Sequence, residues 1–103
     1  MTATLGPVGQ EILLDNDRVR VWHVTLQPGE TQPLHHHELP YVVVAVQGAS
    51  NVISSASGDR IAVVEEAGSV VFREPGQTHM LTNAGDTVYI GRIVELKAGA
   101  DPV

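Results

Sequence analysis

What most limits the fold of this chain is its punctuation. Pro28-Gly29, Ser57-Gly58-Asp59, Ala67-Gly68, Pro75-Gly76 and Asn83-Ala84-Gly85-Asp86 interrupt it, and from Ser57 onward the turns fall within the roughly 8 to 12 residue spacing of an all-β sandwich or small barrel. No stretch holds a helical apolar period over the roughly 11 residues that an amphipathic helix needs. The segments between turns read instead as strands: RVRVWHVTL, YVVVAVQG, RIAVVEE, SVVFREPGQ, THMLTN and TVYIGRIVELK, with a short apolar EILLD in front and a more polar NVISSASGD between. Valine dominates their apolar positions, and a branched Cβ suits a pleated strand better than a helix. The reading is all-β, a single domain over residues 10–97, with tails at 1–9 and 98–103. At 103 residues such a chain has one core and room for one pocket.

Alternation along RVRVWHVTL puts Val19, Val21, His23 and Thr25 on one face and Arg20, Trp22, Val24 and Leu26 on the other. The pattern shows which residues share a face and leaves open which face is inside.

Composition removes several function classes. Cysteine is absent, so a disulfide framework, a thiol nucleophile and a cysteine metal ligand are all excluded. The formal charge is −6 with only six Lys and Arg, and these are scattered, which is not a nucleic-acid footprint. No apolar run approaches the ~18 residues of a membrane span, and MTATLGPVGQ has neither a basic nor an apolar signal region. The expectation is a cytoplasmic protein acting on a small molecule, with no nucleic-acid or membrane partner. Neither G-x-S-x-G nor a glycine-rich phosphate loop occurs, so Ser54, Ser55 and Ser57 read as hairpin residues.

Three of the five histidines stand together in PLHHHELPYVV. On a strand, His35 and His37 project to one side and His36 to the other. A His-x-His pair with one further histidine, His79 in THMLTN, is a metal-ligand pattern, since imidazoles from two strands can cap one face of an ion. A polar strand face is the plainer explanation of the pair alone.

The surroundings of these histidines resemble the two motifs of the cupin superfamily, G(x)5HxH(x)3,4E(x)6G and G(x)5PxG(x)2H(x)3N. Residues 29–48, GETQPLHHHELPYVVVAVQG, follow the first from Gly29 through His35 and His37 to Gly48, with Tyr41 in the glutamate's place. Residues 68–83, GSVVFREPGQTHMLTN, follow the second at Gly68, Gly76, His79 and Asn83, with proline displaced by one so that Glu74 stands where proline is usual. The resemblance spans about residues 18–97, and DNDRVRVWHVTLQPG with IVELK is also similar to small cupins associated with β-alanine degradation. It implies a double-stranded β-helix, a jelly-roll barrel that often dimerises through sheet edges. It also implies His35, His37 and His79 as ligands of a divalent transition metal, iron(II) first, then manganese, nickel, zinc or copper, with Tyr41 at the fourth position.

Losing the glutamate leaves three neutral imidazoles around a doubly charged ion, a site that favours an anionic ligand such as an enolate, a carboxylate or a thiolate. Tyr41 has four readings: phenolate ligand, hydrogen-bond donor to substrate, catalytic acid or base, or a filler of space. Three-histidine cupins include thiol and β-diketone dioxygenases, so the resemblance implies an oxygenase. An isomerase, cyclase or lyase using the metal as Lewis acid, or a non-catalytic small-molecule-binding cupin, is the alternative. His23 reads as a satisfied structural histidine or a cavity-lining one, and His36 as sheet packing. Glu38 reads as exposed and Asn83 as a turn cap. Arg73 or Arg92 would hold a substrate carboxylate if either pointed inward.

Overall fold

The structure is a computed structural model that describes residues 5–98. The C-terminal tail assigned to 98–103 lies outside the described residues except for Ala98, as do the first four residues of the N-terminal one. Nine strands follow one another: β1 Glu11–Asp15, β2 Val19–Leu26, β3 Thr31–His36, β4 Tyr41–Gln47, β5 Ala49–Ser55, β6 Arg60–Glu65, β7 Val70–Arg73, β8 Thr78–Asn83 and β9 Tyr89–Leu96. They form a five-stranded sheet in the order β1-β2-β9-β4-β7 and a four-stranded sheet in the order β3-β8-β5-β6. Every pairing between these strands is antiparallel. This is the two-sheet, all-β architecture that the turn spacing predicts.

The pleat decides what lies between the sheets. On β9, Tyr89, Gly91, Ile93 and Glu95 are buried and alternate with half-buried Ile90, Arg92, Val94 and Leu96. Opposite them, Val24 and Leu26 of β2 and Tyr41 and Ala45 of β4 complete one side of a core that also takes in Ala49, Trp22, Val43 and Leu81. Removing these apolar faces from water is the main force that holds the sheets together.

Gly91 is small for a reason: a Cβ there would collide with the hydroxyl of Tyr89 and come within 2.8 Å of its Cζ. The strand gives up a side chain so that a buried tyrosine ring can fold back over it.

Residues 5–10 run from one sheet to the other. Gly6 N–H donates to Leu34 O at 2.7 Å, and the buried Gln32 donates through Nε2 to Val8 O at 2.5 Å. Gln10 N–H then donates to His23 O at 2.9 Å, and its side chain bridges both backbone groups of Thr25 at 2.8 Å. Residues of the segment assigned to the N-terminal tail therefore lie against β3 of one sheet, and Gln10, at the start of the domain, against β2 of the other.

Asn83 does more than cap its turn. Its side chain is fully buried, accepts from Gly85 N–H at 2.9 Å, and donates to Leu26 O and Thr87 O at 2.9 and 2.7 Å. Its backbone pairs with Gly29 and Glu30 at 2.8 and 3.0 Å. One asparagine thus ties the β2–β3 turn to the β8–β9 turn.

Candidate metal centre

His35 stands directly across from His79 in the β3–β8 ladder, and His36 across from Thr78. Register alone therefore brings the first histidine of the pair beside the distant one. His37 follows the end of β3 and is held by the Pro75-Gly76 bend: Gly76 N–H donates to His37 O at 2.8 Å, and His37 N–H donates to Gln77 O at 2.9 Å. Gly76 has φ of 105°, a conformation that side-chain-bearing residues rarely adopt. The glycine lets the loop turn back and pin His37 in place.

The three rings form a nearly equilateral triangle, with centroids 4.8, 4.8 and 4.9 Å apart and planes crossing at 69–81°. Their ligand nitrogens lie within 4.8 Å of one another, and among the described residues this is the one group of three or more His, Asp or Glu that could hold a metal ion. His37 Nε2 and His79 Nε2 are 3.1 Å apart. Two imidazole nitrogens bound ~2.0–2.1 Å from one ion are separated by a similar distance, roughly 2.9–3.4 Å.

The tautomers fit the same role. His35 Nδ1 lies 2.8 Å from Pro33 O; a carbonyl only accepts, so the proton is on Nδ1 and the Nε2 lone pair is free. His37 faces His79 through Nε2; its Nδ1, on the other edge of the ring, is buried without a partner.

Burial and mutual charge keep these rings neutral. His37 is pushed down to about 3, first by burial and then by the charges of His35, His79, His36 and Arg73. His79 is lowered to about 4 by burial, His35 and Arg73. Burial also lowers His35, against the opposing Pro33 hydrogen bond. Neutral imidazoles present lone pairs, the form in which histidine binds metals.

Tyr41 begins β4 and is 1% exposed. Its ring stacks on His37, centroids 3.8 Å apart and planes 12° from parallel, and its hydroxyl donates to Gln77 Oε1 at 3.0 Å. Burial raises its pKa to about 12, against the opposing charge of Arg73, so it is a neutral phenol at physiological pH.

The histidines line a cavity of about 40 Å³ together with Val24, Val43, Ile53, Leu81 and Ile93 as apolar walls and Gln32, Tyr41, Glu65, Arg73 and Tyr89 as polar ones. That volume takes an ion and one or two water-sized groups, at ~10–15 Å³ each. Of the two arginines, Arg73 lines this cavity. Arg92 points to the outer face instead, where its Nη1 donates to His23 Nδ1 at 2.7 Å. Because a guanidinium only donates, His23 carries its proton on Nε2 and gives it to Thr25 Oγ1, the satisfied structural histidine of the two readings. His36 turns away to Thr78 Oγ1 at 2.7 Å, and Glu38 is exposed. Ser55 and Ser57 hydrogen-bond within their hairpin at 2.8 Å.

Sequence reasoning does not single out Glu65, Tyr89 or Gln77. Glu65 accepts from Asn51 Nδ2; burial, and then the charge of this carboxylate, raise the pKa of Tyr89. The signal for Tyr89 is Gly91, a glycine inside a strand that marks a close approach. Nothing in RIAVVEE distinguishes Glu65 from its exposed neighbour Glu66.

No family model matches the chain, and no curated protein matches it significantly. Solved structures do. A cupin domain from Bordetella pertussis Tohama I is 26% identical, with a TM-score of 0.79 over 95% of this chain and 100% of its own. A Cupin 2 conserved barrel domain protein from Salinispora arenicola CNS-205 is 24% identical, with a TM-score of 0.65 over 85% and 74%. A cupin superfamily protein from Desulfitobacterium hafniense DCB-2 is 18% identical, with a TM-score of 0.65 over 94% and 84%. The two packed antiparallel sheets, the histidine triad between them and the first of these likenesses together make the chain a small single-domain member of the cupin superfamily.

Proposed function

We propose that the protein is a small metal-dependent enzyme acting on a small anionic or enolisable metabolite, with His35, His37 and His79 as ligands and iron(II) as the first choice of metal. The observation that carries this reading is the triad itself: three neutral imidazoles converging in a cavity, with no carboxylate among them. A divalent metal held there supplies Lewis acidity and, as iron, the activation of dioxygen, which makes oxygenase chemistry the leading assignment.

The chain's own residues set the terms. Three uncharged ligands leave the site with a net positive charge, which selects an anionic donor over a neutral one. Val24, Val43, Ile53, Leu81 and Ile93 exclude water and lower the local dielectric, strengthening that selection. Tyr41, neutral and stacked on a proposed ligand, is the group placed to donate a hydrogen bond or a proton, and Gln77 holds its hydroxyl in the meantime. A protonated phenol beside the triad also favours the second reading, a metal-assisted isomerase, cyclase or lyase that moves protons without a redox step.

Elemental analysis of the purified protein, before and after reconstitution with iron(II), should give about one metal per chain, falling sharply in His35→Ala and His79→Ala. Oxygen uptake with β-diketones, thiols and small keto acids then separates oxygenase from Lewis-acid chemistry. Substoichiometric metal in the wild type even after reconstitution would falsify the metalloenzyme reading, and bound metal without turnover on any of these substrates would favour a binding protein.

A further inference from the structure

The histidine cavity does not end at the histidines. Ile53, Arg73 and His79 line it on one side and on the other line a second space of about 220 Å³, bounded also by Ser55, Ile61, Gln77 and Thr78. These seven residues come from β5, β6, β7, β8 and the bend before β8. Arg73 is common to both linings, so it stands between the triad's cavity and this larger space, the antechamber.

Arg73 is held there by its strand. It ends β7 directly opposite Tyr41 of β4, the residue whose ring covers His37, and alternation turns its neighbour Phe72 outward, 54% exposed. Arg73 is half-buried as a residue, yet among the described residues its guanidinium makes no hydrogen bond and no ion pair. The ion pairs join Arg20 to Asp15 and Glu95, and Lys97 to Asp15. The carboxylate sharing its cavity, Glu65, is engaged by Asn51. A half-buried arginine with five donors and no acceptor, lining two cavities, is a site suited to an anion.

We infer that Arg73 anchors the carboxylate of the ligand, so that the molecules this site takes are short aliphatic carboxylates whose acid group lies at Arg73, between the triad and the antechamber. A single guanidinium matches a single negative charge and the flat, two-oxygen shape of a carboxylate. The carbon chain has apolar walls in Ile53 and Ile61, and the 40 Å³ beside the histidines admits only a small donor group. The inference rests on the reading of the triad as a metal site for its chemistry, and on Arg73 alone for its selectivity.

Butyrate and its neutral isostere butyramide are the probes, titrated calorimetrically into zinc-loaded protein, with zinc content measured for each variant. Arg73→Gln should weaken butyrate about 10- to 100-fold, the loss expected for a hydrogen-bonded charge, while leaving butyramide and zinc content unchanged. Arg73→Lys keeps the charge without the fork and should recover part of the affinity. Butyrate affinity within about twofold of wild type in Arg73→Gln, at full zinc content, overturns the inference and leaves the metal reading standing. If the wild type takes up no zinc, the same titration on the metal-free chain decides: dependence of butyrate binding on Arg73 supports the anchor, and its absence removes it.

Discussion

Tyr41 lies flat against His37, with ring centroids 3.8 Å apart, and points its hydroxyl past it to Gln77. The residue in the place of the usual glutamate therefore meets the triad with its ring face and keeps its hydroxyl on another partner. Its pKa near 12 means that it enters the site as a phenol. We expect Tyr41→Phe to bind metal with full stoichiometry and an affinity within about threefold of wild type. Tyr41→Ala, which empties a buried ring position, should cost about 3–5 kcal/mol of stability. Metal titrations and denaturant unfolding check the two halves. A tenfold or greater loss of metal affinity in Tyr41→Phe would make Tyr41 a ligand instead.

Acid should destabilise the metal-free protein early. His37 and His79 have folded pKa values of about 3 and 4, below the 6.5 of an unfolded histidine, and His35 is shifted the same way. Between those limits the unfolded chain binds protons that the folded one refuses, so stability rises with pH. It is fully present above pH 6.5 and is lost as pH falls toward 4 and then 3. Each histidine in that window contributes a slope of about 1.4 kcal/mol per pH unit. Chelator-treated protein melted at a series of pH values should show this decline, and His37→Gln should flatten it. A melting temperature constant from about pH 7 to about pH 4.5 would show that the cluster is not held neutral.

Much of this architecture is legible in the sequence. The eight residues of β2, Val19–Leu26, lie inside the alternating RVRVWHVTL, and the parity that separates His36 from His35 and His37 needs only the pleat. The pleat does not reveal which side faces the core. SVVFR and YIGRIVEL carry apolar residues at both parities, so the pattern cannot tell that Arg73 turns inward and Arg92 outward. Sheet packing makes that choice by burying Tyr41 and Ile93, and with them the parity of Arg73. Glu65 is invisible for a related reason: its place in the cavity follows from the pairing of β6 with β5, where Asn51 reaches it.

Gly91 is a test of packing rather than chemistry. Adding a methyl group drives it into the hydroxyl and Cζ of Tyr89, and Tyr89 is 1% exposed, with only the small cavity beside the triad to shift toward. Overpacking of this kind costs about 1–3 kcal/mol. Gly91→Ala should lower the unfolding free energy by that amount, and Gly91→Ala with Tyr89→Phe should recover part of it, because the colliding oxygen is gone. Equal stability of Gly91→Ala and wild type would mean that the ring has another rotamer to occupy.

The outer face of the five-stranded sheet carries the last prediction. Leu14, Val21, Val94, Val42 and Phe72 stand in register across all five strands, and Val44 and Val70 extend the patch on the next row but one. Leu14, Phe72 and Val70 are 51, 54 and 65% exposed. An apolar row of this length, on the face that points away from the core, is unusual for a surface left to water. A second copy of the chain is the occupant that fits best: the row of uncharged side chains pairs with itself about a two-fold axis, and Arg92, which stands on the same face beside Val44, already donates to His23. The strands of this sheet run from four to eight residues, and five of them ~4.8 Å apart at ~3.4 Å per residue present roughly 520 Å² in plan and more over the side chains, against the ~800 Å² per partner of a stable interface. We expect a homodimer joined by this sheet face. Val94→Glu, at the centre of the row, should give a monomer by light scattering while retaining the wild-type metal content. Wild-type protein that is monomeric at about 100 µM by the same measurement, or a Val94→Glu variant that stays dimeric, would rule this interface out.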